Sequence, residues 1–220
     1  MSFWKKFISI TLVKDIVSHL PKVYEKAKSF WVGKNIAVIG PTASGKDAMF
    51  ARLRNEEIST EHHQTRQPEK LPNFPFVYTL PDGTTINFTF KKCQNVGGEK
   101  EHKEFYWKEA CHNADIIFYL IDIKKFSEDN ILYEQRVSED LRWIAENISS
   151  FSRNKVIHIL LNKVDLLIGD LPDKDQKKFL EEELKPSIDK LDVYSKNILG
   201  EYYSRLGGVY PISMSNRSLS

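Results

Sequence analysis

Residues 40–47 read Gly-Pro-Thr-Ala-Ser-Gly-Lys-Asp and directly follow the apolar run of residues 36–39. A glycine-rich turn between a strand and a helix directs backbone N–H groups toward a bound phosphate, and the lysine adds a positive charge. We therefore predict a phosphate-binding loop at residues 40–47. The side chains and backbone expected to contact the ligand are those of Gly40, Ser44, Gly45 and Lys46.

A second motif, Asn-Lys-Val-Asp at residues 162–165, also follows an apolar run, at residues 156–161. A carboxylate at Asp165 can accept hydrogen bonds from N1–H and N2–H₂ of guanine, an edge that adenine does not present. Because both motifs end predicted buried strands, in this order along the chain, they indicate a guanine-nucleotide site. Asn162, Lys163 and Asp165 are its predicted base-binding residues.

Length and composition favour one globular α/β domain, since the chain has 220 residues of which 41% are hydrophobic. Its 32 basic and 30 acidic side chains give a net charge of +2. No electrostatic field of this size calls for a nucleic-acid partner, so none is predicted. Cys93 and Cys111 lack metal-ligand spacing, and we expect reduced thiols in a cytoplasmic protein.

The first 33 residues are predicted to form an amphipathic helical segment, and residues 34–220 the domain itself. The segment has an apolar stripe at helical spacing, formed by Phe3, Phe7, Ile10, Val13, Val17 and Leu20. We predict that this stripe packs on the domain. The alternative is a peripheral membrane helix over residues 3–20, with Lys5, Lys6 and Lys14 near anionic headgroups, but Asp15 interrupts that basic face.

The rest of the chain alternates between strand and helix patterns. Strands are predicted at residues 35–40, 74–80, 85–92, 115–122, 156–161 and 209–213, and helices at 45–54, 101–112 and 131–148. A long charged helical region, split by Pro186, is predicted over residues 170–206. Pro-Asp-Gly at residues 81–83 indicates a hairpin. The pattern predicts a three-layer α/β fold whose sheet is mostly parallel, with one antiparallel edge strand.

Taken together, residues 34–216 resemble a small Ras-like GTPase domain, a P-loop NTPase fold, with the strongest likeness to the Arf and signal-recognition-particle-receptor β branch. The likeness rests on the two motifs above, on residues 95–98 (Asn-Val-Gly-Gly) and on residues 213–215 (Ser-Met-Ser). It implies GTP or GDP with Mg²⁺ as ligands. It also implies that Gly98 lies near the phosphates, that Ser213 and Met214 support the base, and that Thr65 senses the γ-phosphate and Mg²⁺.

Two residues depart from the family pattern at the metal. Asp47 stands where a Ser or Thr hydroxyl normally ligates Mg²⁺, and Asn95 stands where an Asp normally supports it. We interpret this as an acid-for-amide exchange in which Asp47 ligates Mg²⁺, with Thr65 and Asn95 completing the site. The competing interpretation is a degenerate, metal-independent site. Without a cation, a carboxylate 4 Å from a phosphate charge is repelled by about 4 kcal/mol at an effective dielectric of 20.

Glu99 stands where the family commonly has the glutamine that orients the attacking water. Its carboxylate would place negative charge beside the γ-phosphate, so hydrolysis is expected to be slow or absent, with Glu99 and Thr65 as the catalytic candidates. The leading hypothesis is a GTP-binding switch in which residues 56–72 and 95–104 reorder and bind an unidentified protein partner. The alternatives are a pseudo-GTPase scaffold and a P-loop transferase or kinase, the latter disfavoured by the Asn162 motif.

Small GTPase domains normally follow the last strand with a helix that covers one face of the sheet. Here the predicted last strand is followed only by residues 216–220. An uncovered face would be an apolar patch prone to association. We therefore expect the helical segment of residues 3–31 to take the place of that helix.

Overall fold

The computed structural model describes residues 35–53, 69–71, 74–79, 85–95, 103–128, 130–151, 155–169, 175, 178–179, 182 and 184–213. The N-terminal segment 1–34 lies outside these ranges. So do four predicted site residues: Thr65, Gly98, Glu99 and Met214.

Within these ranges the strands form one seven-stranded sheet. The strands are β1 (Asn35–Ile39), β2 (Glu69–Leu71), β3 (Phe74–Thr79), β4 (Thr85–Asn95), β5 (Ile116–Asp122), β6 (Val156–Asn162) and β7 (Leu206–Pro211). Their order is β2-β4-β1-β5-β6-β7, with β3 also pairing with β4. Neighbours from β4 to β7 run parallel, whereas β2 and β3 run antiparallel to β4.

Two sequence predictions about this sheet need correction. One antiparallel edge strand was predicted, but β2 and β3 both line β4, because β4 extends to Asn95 and its last residues pair with Glu69–Leu71. A three-residue strand is too short to show the alternating pattern that identifies strands in a sequence. The last strand was placed at residues 209–213, but it occupies Leu206–Pro211, where pairing with β6 overrides the weak strand preference of two glycines.

The helices alternate with these strands. They are α1 (Lys46–Leu53), α2 (Lys108–Asn113, continuing a π-helical turn at Lys103–Trp107), α3 (Ile123–Ser127), α4 (Ile131–Asn147), α5 (Asp165–Ile168) and α6 (Lys185–Leu199). Short 3₁₀ turns follow α4 and α6, at Ile148–Ser150 and Gly200–Arg205. Pro186 lies in the first turn of α6, where its missing N–H costs nothing. Residues 175, 178, 179 and 182 of the predicted helical region are also helical, and Leu184 just before α6 is not.

The N-terminus of α4 shows how a cap sets which face of a helix is buried. The Asn130 side chain accepts a hydrogen bond from the backbone N–H of Tyr133 at 3.1 Å, and Tyr133 is buried. Leu132 is therefore turned outward and is 78% exposed, although its apolar spacing to Val137, Leu141 and Ile144 would favour the inner face. Val137, Leu141 and Ile144 form the buried face.

One buried core cluster lies between the sheet and a layer of helices. On the first face of the sheet, alternate residues of β1, β5 and β6 join side chains of α2, α4 and α6 in one buried cluster, including Val137, Leu141, Leu191 and Leu199. The intervening strand residues point to the second face, and they are also buried, as in Phe118 and Leu120. In the part of the chain that the structure describes, no helix is both long and apolar enough to cross a bilayer.

Parallel pairing brings the carboxyl ends of β4, β1, β5, β6 and β7 to one edge of the sheet. The residues at or just after these ends are Asn95, Gly40, Asp122, Asn162 and Ser213. Ligands of open α/β sheets bind at this edge.

Candidate functional site

The loop after β1 is shaped by residues with positive φ. Gly40 has φ 144°, Ala43 62° and Gly45 96°. A Cβ at Gly40 would lie 2.3 Å from the carbonyl oxygen of Leu120, and one at Gly45 would lie 2.1 Å from Nδ2 of Asn162. Glycine is therefore required twice, because the loop passes against the backbone of β5 and the end of β6.

The Lys46 ammonium group lies inside the curve of this loop. Its Nζ donates hydrogen bonds to the carbonyl oxygens of Gly40 at 3.1 Å and Pro41 at 2.9 Å. The residue is only 6% exposed. Burial lowers the pKa of Lys46 to about 8, against the opposing effect of the Asp47 and Asp140 charges. A buried, weakly solvated cation at this point is suited to an anionic ligand.

An amide bridge joins the two sequence motifs. Asn162 Nδ2 donates a hydrogen bond to the carbonyl oxygen of Ser44 at 2.9 Å, across 118 residues of sequence. Asn162 was predicted to contact the base, and the structure places its amide against the phosphate loop. Both motifs are thus parts of one continuous site.

Two buried polar atoms at this bridge have no partner within the described part of the chain. They are the hydroxyl oxygen of Ser44 and Oδ1 of Asn162. A buried polar group without a hydrogen bond costs about 1–3 kcal/mol. The residues present therefore fit a polar ligand held at the loop, as a nucleotide phosphate would be.

The Lys163 side chain is held by a carboxylate that the sequence analysis did not select. Lys163 has φ 70°, and its Nζ donates to Asp122 Oδ2 at 2.6 Å. Asp122 is 3% exposed, and its Oδ1 also accepts from the backbone N–H of Lys125 at 3.3 Å. The signal that marks Asp122 in the sequence is an acidic residue that ends an otherwise apolar strand.

Asp165 is held from the end of β7. Ser213 Oγ donates a hydrogen bond to Asp165 Oδ1. Two backbone bonds fix this junction, from Val164 N to Ile212 O at 3.3 Å and from Ile212 N to Leu161 O at 2.8 Å. The Asp165 carboxylate is thus oriented by the protein.

Two of the three predicted metal ligands, Asp47 and Asn95, occupy the same edge of the sheet, and Thr65 lies outside the described residues. Asp47 is exposed in the first turn of α1, and Asn95 ends β4 opposite Val38 of β1. Among the described residues there is no group of three or more His, Cys, Asp or Glu side chains that suits a metal ion. By residue type, Asp47 and Asn95 can each supply a hard oxygen donor of the kind that Mg²⁺ prefers.

Comparison with solved structures fits this architecture. The signal recognition particle receptor SRb-GTP/SRX complex from Chaetomium thermophilum aligns with a TM-score of 0.55 and 15% sequence identity, covering 84% of this chain and 93% of that one. The chain has the fold of a P-loop GTPase domain. The predicted fold class is confirmed, and so is the predicted resemblance of the fold to signal recognition particle receptor β.

A sequence relative supports the same GTPase fold. The tRNA modification GTPase MnmE of Mycoplasma mobile is 24% identical over 163 residues, which cover 70% of this chain. The match spans 32% of that protein, so this chain corresponds to about a third of its curated relative. No protein-family model matches the chain.

Proposed function

We propose that this chain is a guanine-nucleotide-binding switch protein in which GTP hydrolysis is slow or absent. The observation that carries the proposal is the bridge from Asn162 Nδ2 to the Ser44 carbonyl, which closes the phosphate loop against the base motif. The similar solved structure is titled as a GTP complex, and the curated relative is named a GTPase. Both names agree with a guanine nucleotide as the ligand.

Different residues are proposed to bind the phosphates and the base of the nucleotide. The backbone N–H groups of residues 40–47 and the Lys46 ammonium bind phosphate, with Gly98 reaching the outermost phosphate. Asp165 accepts hydrogen bonds from guanine, with Ser213 fixing its orientation and Met214 supporting the base. Lys163, which donates a hydrogen bond to Asp122, would lie beside the base.

Asp47, Thr65 and Asn95 would hold Mg²⁺ in this proposal. When bound, the ion would neutralise negative charge on the β- and γ-phosphates. Asp47 follows Lys46 in the first turn of α1, so its carboxylate would be available to the ion beside the phosphates. Glu99 and Thr65 remain the residues proposed to act on the attacking water.

The output of such a protein is binding. We propose that residues 56–72 and 95–104 reorder with the bound nucleotide and so present or withdraw a surface for a protein partner in the cytoplasm. The likeness to a structure titled as an SRb/SRX complex supports a protein partner, which stays unidentified.

Titration of fluorescent GTP, GDP and ATP analogues against the purified protein tests the proposal. Guanine-selective binding is the expected result, because Asp165 offers two acceptors to N1–H and N2–H₂ of guanine. Preference for ATP would instead favour a transferase. Failure to bind any nucleotide would leave a pseudo-GTPase scaffold.

Removing Mg²⁺ should weaken GTP binding strongly in the wild-type protein. Without the ion, the Asp47 carboxylate faces phosphate charge with a repulsion of about 4 kcal/mol before screening. The matched variant Asp47→Ser removes that charge, so its affinity should fall less on chelation than that of the wild type. Equal GTP affinity of the wild type with Mg²⁺ and with EDTA would refute the role assigned to Asp47.

GTP affinity should also fall as the pH rises through 8. Lys46 must be charged to bind phosphate, and its pKa in the free protein is lowered to about 8. Between pH 7 and pH 9 the protonated fraction therefore drops about tenfold, and affinity should drop by a similar factor. Isothermal titration across this range measures it. Arginine stays charged, so a Lys46→Arg variant that still binds GTP should show a flat profile.

A further inference from the structure

The second face of the sheet carries a row of buried aromatic rings. Phe118 of β5, His158 of β6 and Tyr210 of β7 lie side by side, with ring centroids 5.8 Å and 5.7 Å apart. They are 2%, 4% and 6% exposed. At Gly207, a Cβ would lie 2.4 Å from the ring of His158, so the glycine leaves room for this row.

The helices of the described part of the chain do not account for this burial. Helices α2, α4 and α6 pack in the cluster on the first face. Helix α1 contacts β4, which is separated from β6 by β1 and β5. With strands about 4.8 Å apart, β6 lies about 14 Å from β4, beyond the reach of a helix about 10 Å wide. Something else must cover the aromatic row.

The stretches outside the described ranges differ in how well they suit this face. Residues 54–68 connect α1 to β2, at the opposite edge of the sheet. Residues 170–183, of which only 175, 178–179 and 182 are described, lead into Leu184, which belongs to the first-face cluster. Residues 214–220 contain only two large apolar side chains, Met214 and Leu219. By contrast, residues 3–31 carry a continuous apolar stripe at helical spacing.

We propose that the aromatic row of Phe118, His158 and Tyr210 is the docking surface for residues 3–31 of the same chain, with the stripe from Phe3 to Leu20 against the rings. Residues 3–20 span about 27 Å as a helix, enough to cross three strands. The segment leads directly into β1, the neighbour of β5, so only a short connection is needed.

The surroundings of His158 agree with an apolar cover. In the described part of the chain, neither ring nitrogen has a hydrogen-bond partner, and burial lowers the pKa of His158 to about 4. Exposing the row would create an apolar patch between β5 and β7. Docking therefore hides two apolar surfaces at once, that of the sheet and that of the amphipathic segment. The proposal does not depend on nucleotide binding.

Cleavage of the folded, full-length protein tests the contact directly. A protease site inserted between Gly33 and Lys34 should be cut without separating the pieces, so that the fragment of residues 1–33 co-elutes with the domain in gel filtration. NMR titration should still find His158 with its lowered pKa. Separation of the fragment from a domain that keeps its melting temperature would overturn the proposal.

A matched pair of variants in the intact chain separates docking from general damage. Val13→Glu places a charge in the stripe and should release the segment, returning the pKa of His158 to about 6.5 and lowering the melting temperature. Lys14→Glu changes the neighbouring position off the stripe and should do neither. Equal effects of the two variants would contradict the proposal. So would binding of the intact wild-type protein to phosphatidylglycerol vesicles with release of His158, which would assign the segment to a membrane.

Discussion

Asp165→Asn should reduce GTP affinity about 100- to 1,000-fold. The carboxylate offers acceptors to both N1–H and N2–H₂ of guanine, and each such charge-assisted hydrogen bond contributes about 1.5–3 kcal/mol. An asparagine side chain replaces one acceptor with an NH₂ group, which then faces a guanine donor. Equilibrium titration with a fluorescent GTP analogue measures the loss.

Xanthosine triphosphate is the matched ligand for this variant. Xanthine has a carbonyl oxygen at position 2, and the new NH₂ group can donate to it. The variant should therefore prefer xanthine to guanine, whereas a merely unfolded variant would bind neither. The Ser213 hydroxyl can still donate to Oδ1 of asparagine, so the melting temperature should stay close to that of the wild type. Unchanged affinity for GTP would show that Asp165 does not read the base.

The sequence predicts the centre of this fold well because the signals there are local. β5 and β6 are buried on both faces, so each is a continuous apolar run that ends at a polar residue, Asp122 or Asn162. The phosphate loop requires glycines at fixed positions, because the backbone of β5 lies against Gly40 and the Asn162 side chain lies against Gly45. The predicted bounds of these elements agree with the structure within one or two residues.

What the sequence does not predict depends on partners far along the chain. The sequence marks Asp122 only as an acidic residue at the end of an apolar strand, and its role depends on Lys163, which lies 41 residues later and donates a hydrogen bond to it. β7 contains two glycines and is a strand because β6 pairs with it. The π-helical turn before α2 and the exposed Leu132 likewise depend on packing and capping, which the spacing of apolar residues does not reveal.

A buried charge cluster beneath the site is another feature of this kind. Asp140 of α4 is fully buried, and it forms ion pairs with Lys103 and with Arg136, whose Nε lies 2.8 Å away. Tyr119 of β5 donates its hydroxyl to the same carboxylate at 3.1 Å. Burial raises the pKa of Asp140, and the charges of Arg136 and Lys103 oppose that shift. These cations favour the charged form of the buried carboxylate.

Asp140→Ala should therefore lower the free energy of unfolding by about 3–5 kcal/mol, the usual cost of removing one partner of a buried ion pair. The loss arises mainly from Lys103 and Arg136, which would be left with charges turned toward a low-dielectric interior. Urea denaturation followed by circular dichroism measures it. Asp189→Ala is the matched control, because Asp189 pairs with Lys185 on the exposed surface of α6 and should cost less than about 1 kcal/mol.

The cluster also bears on switching, because Lys103 lies within residues 95–104, the segment proposed to reorder with the nucleotide. The ion pair between Lys103 and Asp140 would anchor the end of that segment. Tyr119→Phe should preserve this ion pair, because the variant removes only a neutral hydrogen-bond donor from the Asp140 carboxylate. Its cost in unfolding free energy should be about 1.5–3 kcal/mol, below that of Asp140→Ala. A loss for Asp140→Ala no larger than that for the surface control would mean that the cluster is solvated in solution and does not anchor Lys103.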